Sequence, residues 1–261
     1  MRRQTIYDLK GLQLGITSRL WDFKMESDPF EECVEFMINN RYDILPLKDS
    51  KGIFNYFLVT DEWNHFNNIR KKHKSELPKL RADCDFISLV KAFTMNKEKY
   101  FLLYKGARIV GLISIVNFSF REIYVRLYNE LAELEIKMVK WLFRELTEAE
   151  IIDILLRKNN SETGKSALGQ FFIDQKLGND NSIREYLYLS SLHCIIKEKQ
   201  LYTKLGYNNS DWKSIATPLF NTRNSVAHPV RSIIREQNDF KRVLVCLETS
   251  KKIKSKLHLT K

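Results

Sequence analysis

The most pointed chemistry in the chain lies in one short string, Thr222-Arg223-Asn224-Ser225-Val226-Ala227-His228-Pro229. Arginine stays charged at any working pH and can fork two donors onto phosphate oxygens. Histidine titrates near ~6.5 when unperturbed, so it exchanges protons at neutral pH. Together they meet the two needs of RNA cleavage without a metal. One group must take the proton of a 2′-hydroxyl, and positive charge must steady the phosphorane-like transition state. By analogy with one oxyanion donor, stabilising that charge supplies ~2.7–4 kcal/mol. The products would be a 2′,3′-cyclic phosphate and a 5′-hydroxyl. Arg223 would hold phosphate, His228 would do the acid–base work, and Asn224 would orient the imidazole or a phosphate. A structural reading stands beside this one, because Arg and His at a helix C-terminus also interact favourably with the helix dipole.

Spacing constrains the catalytic reading. On an ideal helix Arg223 and His228 point about 140° apart, whereas Asn224 and His228 share a face. Pro229 disfavours the α conformation at His228, so the helix should fray there. A compact site then needs the helix end or a second protomer to bring both groups onto one phosphate, and a homodimer is the economical solution. The surrounding charge suits RNA. The net charge is +11, of which residues 218–261 hold +7, residues 1–120 hold +4 and residues 121–217 hold none. Arg231, Arg235, Lys241 and Arg242 are the candidate RNA-binding residues near the motif, with Lys251, Lys252, Lys254 and Lys256 beyond. A solvated helix face would look the same from charge alone.

The elements that must position this string are helical. Ile123, Leu127, Leu131, Leu134, Met138, Trp141 and Leu142 fall at three- and four-residue steps, predicting one long helix over 120–146. Thr147 with Glu150 makes a capping box that opens another. Residues 159–164 read as a loop and Gly178-Asn179-Asp180-Asn181 as a break. Ser182 with Glu185 should cap a helix through Leu189, Leu192 and Ile196 to Leu205, with Gly206 just past its end. Further helices are expected from about Pro218 to His228 and from Ile233 to Leu257. Residues 121–261 thus read as an all-α bundle. With the string Arg223-Asn224 … His228, this half resembles the HEPN superfamily, whose motif is R-x4-6-H with a polar residue after the Arg. The resemblance implies a metal-independent endoribonuclease acting as a dimer, or a relative that has lost catalysis.

The first 120 residues read differently. Helix-like Phe30 to Asn40 precedes two strands, 42–47 and 53–60, joined by a turn at Asp49-Ser50-Lys51-Gly52. A charged stretch, Arg70 to Lys74, follows. Helix-like Phe86 to Met95 then precedes strands 100–104 and 109–116, with Lys105-Gly106 between them. The same unit recurs about 55 residues on, which points to two copies of one supersecondary module packed together. This α+β half resembles a tandem pair of CBS domains, whose signature is an apolar strand ending in Gly-h-h-Thr/Ser-x-x-Asp. The second copy reads Gly111-Leu112-Ile113-Ser114-Ile115-Val116-Asn117, with Asn117 in place of the acid. The first reads Phe57-Leu58-Val59-Thr60-Asp61-Glu62-Trp63, with Trp63 at the acid position. The resemblance implies ligand-binding roles for Ser114, Asn117 and Thr60 toward an adenine nucleotide or nucleotide second messenger. A purely structural or dimerising pair is the alternative.

Several classes drop out. With 9 Gly and 5 Pro, a turn-rich all-β sandwich is not expected. The longest uncharged apolar run, Ile109 to Val116, is far short of the ~20 residues that span a bilayer. No membrane association is expected, and the charged start suggests a cytoplasmic protein rather than a secreted one. Cys33, Cys84, Cys194 and Cys246 lack any C-x-x-C spacing and read as free thiols. His65, His73, His193 and His258 show no metal-ligand spacing. Gly164-Lys165-Ser166 resembles the end of a P-loop, but position 159 is Asn and no strand precedes it. The favoured reading is a ligand-gated RNase of toxin or antiviral type, with a non-catalytic sensor or adaptor as the alternative. No metal or catalytic cofactor is expected.

Overall fold

Runs such as Ile44-Leu45-Pro46-Leu47 and Tyr100-Phe101-Leu102-Leu103 are apolar at every position, yet successive side chains on a strand point to opposite faces. Such strands need cover on both sides. The computed structural model describes residues 5–62, 65–96, 99–158, 162–228 and 232–259. The chain divides into two units, Met1–Phe120 and Arg121–Lys261.

In the first unit the strands are β1 (Ile16–Thr17), β2 (Lys24–Met25), β3 (Ile44–Lys48), β4 (Phe54–Glu62), β5 (His65–His73), β6 (Lys79–Arg81), β7 (Tyr100–Lys105) and β8 (Arg108–Ser114). The helices are α1 (Gly11–Leu14), α2 (Phe30–Asn40) and α3 (Phe86–Met95). One sheet runs β2-β3-β4-β5 and the other β1-β8-β7-β6. In each, a short strand lies parallel to the strand that follows the helix, and that strand forms an antiparallel hairpin with the next. Lys24 pairs with Leu47 and Leu80 with Leu103, so a step of 56 residues relates the two parallel registers. The two hairpins turn at Gly52 and Gly106, both at positive φ (80° and 60°).

Each repeat is buried on two sides. Leu45, Leu47 and Leu58 pack with Cys33 and Met37 of α2. The alternate residues Ile44, Phe57 and Val59 join Trp21, Leu77, Tyr100, Leu102 and Leu112 in a core shared by the two repeats. On the far side of the second sheet Phe93 of α3 meets Phe101 and Phe118 edge-on at 4.7 and 5.2 Å. Gly111 is required by close approach: a Cβ there would lie 2.9 Å from Leu12 Cδ1 and 3.0 Å from the Ile16 carbonyl oxygen of β1.

The charged stretch Arg70 to Lys74 is largely the end of a strand, β5, an element absent from the sequence reading. It forms the edge of its sheet, where cations discourage further pairing. Lys71 there lies over the Tyr56 ring at 4.5 Å and pairs with Glu26 at 3.2 Å. The apolar stretch ending at Val116 is strand only to Ser114, and a 3-10 turn occupies Ile115–Ser119.

All described regular structure of the second unit is helical: α4 (Arg121–Glu145), α5 (Glu148–Arg157), α6 (Glu162–Lys176), α7 (Leu189–Glu198), α8 (Asn209–Ala227) and α9 (Gln237–Leu259), with short 3-10 turns between. All seven residues of the expected α4 stripe are buried, and the Thr147–Glu150 capping box opens α5. Three helix boundaries differ from expectation. The helix expected from Ser182 is divided, because Leu187 and Tyr188 take extended backbone angles (ψ 109° and 169°) after a first turn that Glu148 anchors, accepting both the Ser182 hydroxyl and the Ile183 N–H at 2.8 Å. Only a 3-10 turn, Ile183–Tyr186, results, and α7 starts afresh at Leu189. α8 begins well before Pro218, at an Asn208 cap that accepts the Asp211 N–H at 2.8 Å. An internal proline costs a helix ~3 kcal/mol, which burial of Trp212, Ile215 and Leu219 opposes. α9 begins at Gln237 rather than Ile233, since Asp239 accepts the N–H groups of Arg235 and Glu236 at 2.7 and 3.2 Å. Residues 159–161 of the expected loop lie outside the described residues, and Glu162 already begins α6.

A buried carboxylate joins α4 to α9. Glu130 is 4% exposed, and it accepts from the Ser250 hydroxyl at 2.7 Å and the Lys254 ammonium at 2.8 Å. Removing one partner leaves a charge without compensation in the core. Lys254→Ala should therefore lower unfolding free energy by about 3 kcal/mol in a urea titration. The double variant Glu130→Leu/Lys254→Met should cost less than that single change. His193 gives a pH signature. Burial pushes its pKa below the usual histidine value, so the unfolded chain takes up a proton first as pH falls. Stability should fall as pH drops below about 6.5, and His193→Gln should flatten that slope.

Candidate functional site

Ser114 and Asn117 sit where β8 gives way to the 3-10 turn. Asn117 Oδ1 accepts the Ser114 N–H at 2.7 Å and the Ser114 hydroxyl at 3.3 Å, so the motif is first of all a local cap. One carboxylate oxygen of the expected acid would do the same. The difference lies in the second atom, where an amide donates and a carboxylate accepts. Both residues line a cleft of about 350 Å³ within the first unit. Trp21, Ile44, Leu112 and Phe120 supply apolar walls, and Asp22, Arg41 and Asp43 supply charge. The Trp21 indole N–H donates to the Ile16 carbonyl at 3.0 Å, which fixes that wall.

Arg41 follows the last turn of α2 in the left-handed region (φ 55°, ψ 43°). The Tyr42 hydroxyl donates to Asp22, and this bond raises the tyrosine pKa above its ordinary value. Burial raises the Asp43 pKa, with the Lys99 ammonium pulling it back. Lys99 is itself only 3% exposed and donates to the Thr60 hydroxyl at 3.3 Å. This settles the place of Thr60. Ile44 and Tyr100 both face the core between the repeats, and Ile44 lies opposite Val59 as Tyr100 lies opposite Ser114, so Val59 holds the position that corresponds to Ser114. Thr60 comes one residue later, is 3% exposed, and is not among the residues lining the cleft. Matching by motif letters sets Thr60 against Ser114, one residue past the place that the strand pairing gives. Trp63 lies outside the described residues.

In the second unit α8 ends at Ala227, and His228 follows with non-helical angles (φ −119°, ψ 76°). Its N–H still donates to the Asn224 carbonyl at 3.1 Å. His228 and Asn224 are exposed. Arg223 points elsewhere: its Nε is 3.5 Å from Glu135 Oε1, and its guanidinium lies 5.5 Å from the Tyr188 ring centre. Among the described residues no hydrogen bond or ion pair joins Arg223 to His228. The same Glu135 oxygen accepts the Leu189 N–H at 3.0 Å and so caps α7. Glu135 was absent from the sequence reading. Its only signal was position, a carboxylate on α4 beside the buried Leu131, Leu134 and Met138.

The candidate RNA-binding cations divide. Arg242 is committed to the fold: Nη2 donates to the Ile233 carbonyl at 2.7 Å and Nη1 lies 2.8 Å from Asp239. Lys241 and Arg235 are exposed, and Arg231 lies outside the described residues. His193 is a core residue. Its Nε2 is 2.8 Å from the Trp212 carbonyl oxygen, and its ring stacks on Trp212 at 4.7 Å. Among the described residues no group of three or more His, Cys, Asp or Glu is arranged to hold a metal ion. The four cysteines are free thiols, and burial raises the pKa of each, that of Cys246 to about 12. No described helix is long and apolar enough to cross a membrane.

No family model and no curated protein matches the chain. Among solved structures it is similar to a functionally unknown conserved protein domain from Neisseria meningitidis, with 14% identity and a TM-score of 0.34 over 43% of this chain and 77% of that one. It is similar also to a CBS domain protein of unknown function from Thermoplasma acidophilum, with 16% identity and a TM-score of 0.33 over 42% and 67%. A third is a CBS domain-containing protein of unknown function from Bacillus anthracis, with 12% identity and a TM-score of 0.32 over 43% and 91%.

The double duty of Glu135 is open to a direct check. Glu135→Ala should lower unfolding free energy by about 1–2 kcal/mol, through a lost helix cap and a lost partly buried ion pair. Glu135→Gln keeps an acceptor for the Leu189 N–H and should recover at least half of that in a denaturant titration.

Proposed function

We propose that the chain is a ligand-regulated, metal-independent endoribonuclease. In this reading the first unit is a paired CBS-type sensor for an adenine nucleotide or nucleotide second messenger. The second is a HEPN-type nuclease that works as a cytoplasmic homodimer, in a toxin or antiviral-defence setting. The observation that carries the reading is the Arg223-Asn224-x-x-x-His228 string at the end of a helix in an all-helical unit, with its imidazole exposed.

The chemistry follows from the residue types. The His228 imidazole takes the 2′-hydroxyl proton as the 2′-oxygen attacks phosphorus. The bond to the 5′-oxygen breaks, and that oxygen takes a proton from the His228 of a second copy. Arg223 stabilises the charge that builds on the non-bridging oxygens. For this the guanidinium must turn part of its donor fork from Glu135 to phosphate, and five N–H donors allow both. Lys241 and Arg235, exposed near the motif, add charge that attracts the RNA backbone.

The Glu135–Arg223 pair also favours a second reading, a non-catalytic sensor or adaptor in which Arg223 only braces α8 against α4. Cleavage of a fluorescent single-stranded RNA in EDTA, with a panel of adenine nucleotides, separates the two. The nuclease reading expects cyclic-phosphate ends and a loss of at least ~100-fold in His228→Ala. Because His228 is exposed, that variant should keep its unfolding midpoint. Cleavage unchanged in His228→Ala removes this active site, and no cleavage with any nucleotide favours the adaptor.

A further inference from the structure

We infer that the cleft beside Ser114 takes a purine nucleoside carrying at most one phosphate and discriminates against nucleoside polyphosphates. This rests on the reading of that cleft as the sensor's ligand site, and it narrows the ligand class by charge and shape.

The apolar part of the cleft suits a flat base. The Trp21 ring is pinned through its indole N–H, and Ile44 and Leu112 are nearly buried beside it. Leu20 and Val116 also line the cleft, yet they are 75% and 62% exposed. Apolar side chains left in water around one concavity gain from a ligand face that covers them. Ser114 and Asn117 add a hydroxyl and an amide next to those walls, in positions held by their mutual cap. These are neutral groups, suited to the hydroxyls of a sugar.

The charged part sets the limit. Among the described lining residues Arg41 is the cation, against the carboxylates of Asp22 and Asp43. Lys99 offsets Asp43 from behind the cleft but is 3% exposed and bonded to Thr60. Arg41 can therefore pair with one phosphate, in the bidentate manner of a guanidinium. A phosphate monoester already carries about −1.5 to −2 charges at neutral pH. Each further phosphate adds negative charge with no second cation among the described lining residues to meet it, and Asp22 repels it. The Asp22 carboxylate is held in place by the Tyr42 hydroxyl, so it does not simply swing away.

Calorimetric titration of the full chain with adenosine, AMP and ATP tests this. AMP should bind, with ATP at least tenfold weaker. Arg41→Asn, a residue that tolerates the left-handed backbone, should reduce AMP to the affinity of adenosine while leaving adenosine within about twofold. Asp22→Asn should narrow the gap between AMP and ATP and keep an acceptor for Tyr42. ATP binding as tightly as AMP overturns the inference and leaves the sensor reading intact. If none of the three binds to a chain whose thermal unfolding is normal, the sensor reading fails and the inference falls with it.

Discussion

Neither copy of the β–α–β–β unit can bury itself. Its central strands are apolar on both faces, and its one helix covers only one of them. Leu45 and Leu47 have α2 above them, but Ile44, Phe57 and Val59 face a side that only the other copy's Tyr100, Leu102 and Leu112 can close. The pairing of the two repeats is therefore a condition for either one to fold. The rest of the first unit follows from it. The matching registers of the two repeats, the short parallel strands β2 and β6, and the use of N-terminal β1 to complete the second sheet all serve that shared core. The candidate cleft is a by-product of the same packing, since its walls come from β1, β3 and β8 and the residues beside them.

In the helical unit, carboxylates do what the glycines and prolines of the sequence do not. Glu148 anchors the first turn of one helical segment through the Ile183 N–H, and Glu135 caps the next at Leu189. Glu130 ties α4 to α9 through Ser250 and Lys254. Each acts across a long sequence separation. Glu135 matters most for function, because the oxygen that caps α7 also faces Arg223. The position of the most chemically suggestive arginine thus depends on α4, far from its own motif in sequence.

The two sites were legible to different degrees. The string around His228 stood out because its residue types are unusual together and because Pro229 marks the helix end. Ser114 and Asn117 were found by motif, and both face the cleft. Thr60 was not a comparable case, since letters along a strand do not reveal which face the pairing gives each residue. Arg242 looked like one more basic residue of a charged tail, although its guanidinium is spent on Ile233 and Asp239.

Pattern alone determined much of the architecture. The change from apolar strand runs to a 3.6-residue apolar period near residue 120 was written in side-chain polarity. So were the repeat, the glycine turns at 52 and 106 and the buried stripe of α4, because each depends on neighbours a few residues away. What only the tertiary structure decided depends on partners distant in sequence. β5 is a strand because β4 offers it an edge, although its own residues argue for a loop. α8 runs through Pro218 because burial on either side outweighs the missing hydrogen bond. Glu135 meets Arg223 because α4 and α8 pack together, and Lys99 turns inward because Asp43 and Thr60 receive it. Local periodicity cannot encode these choices, since burial and charge pairing are settled only when the distant partner arrives.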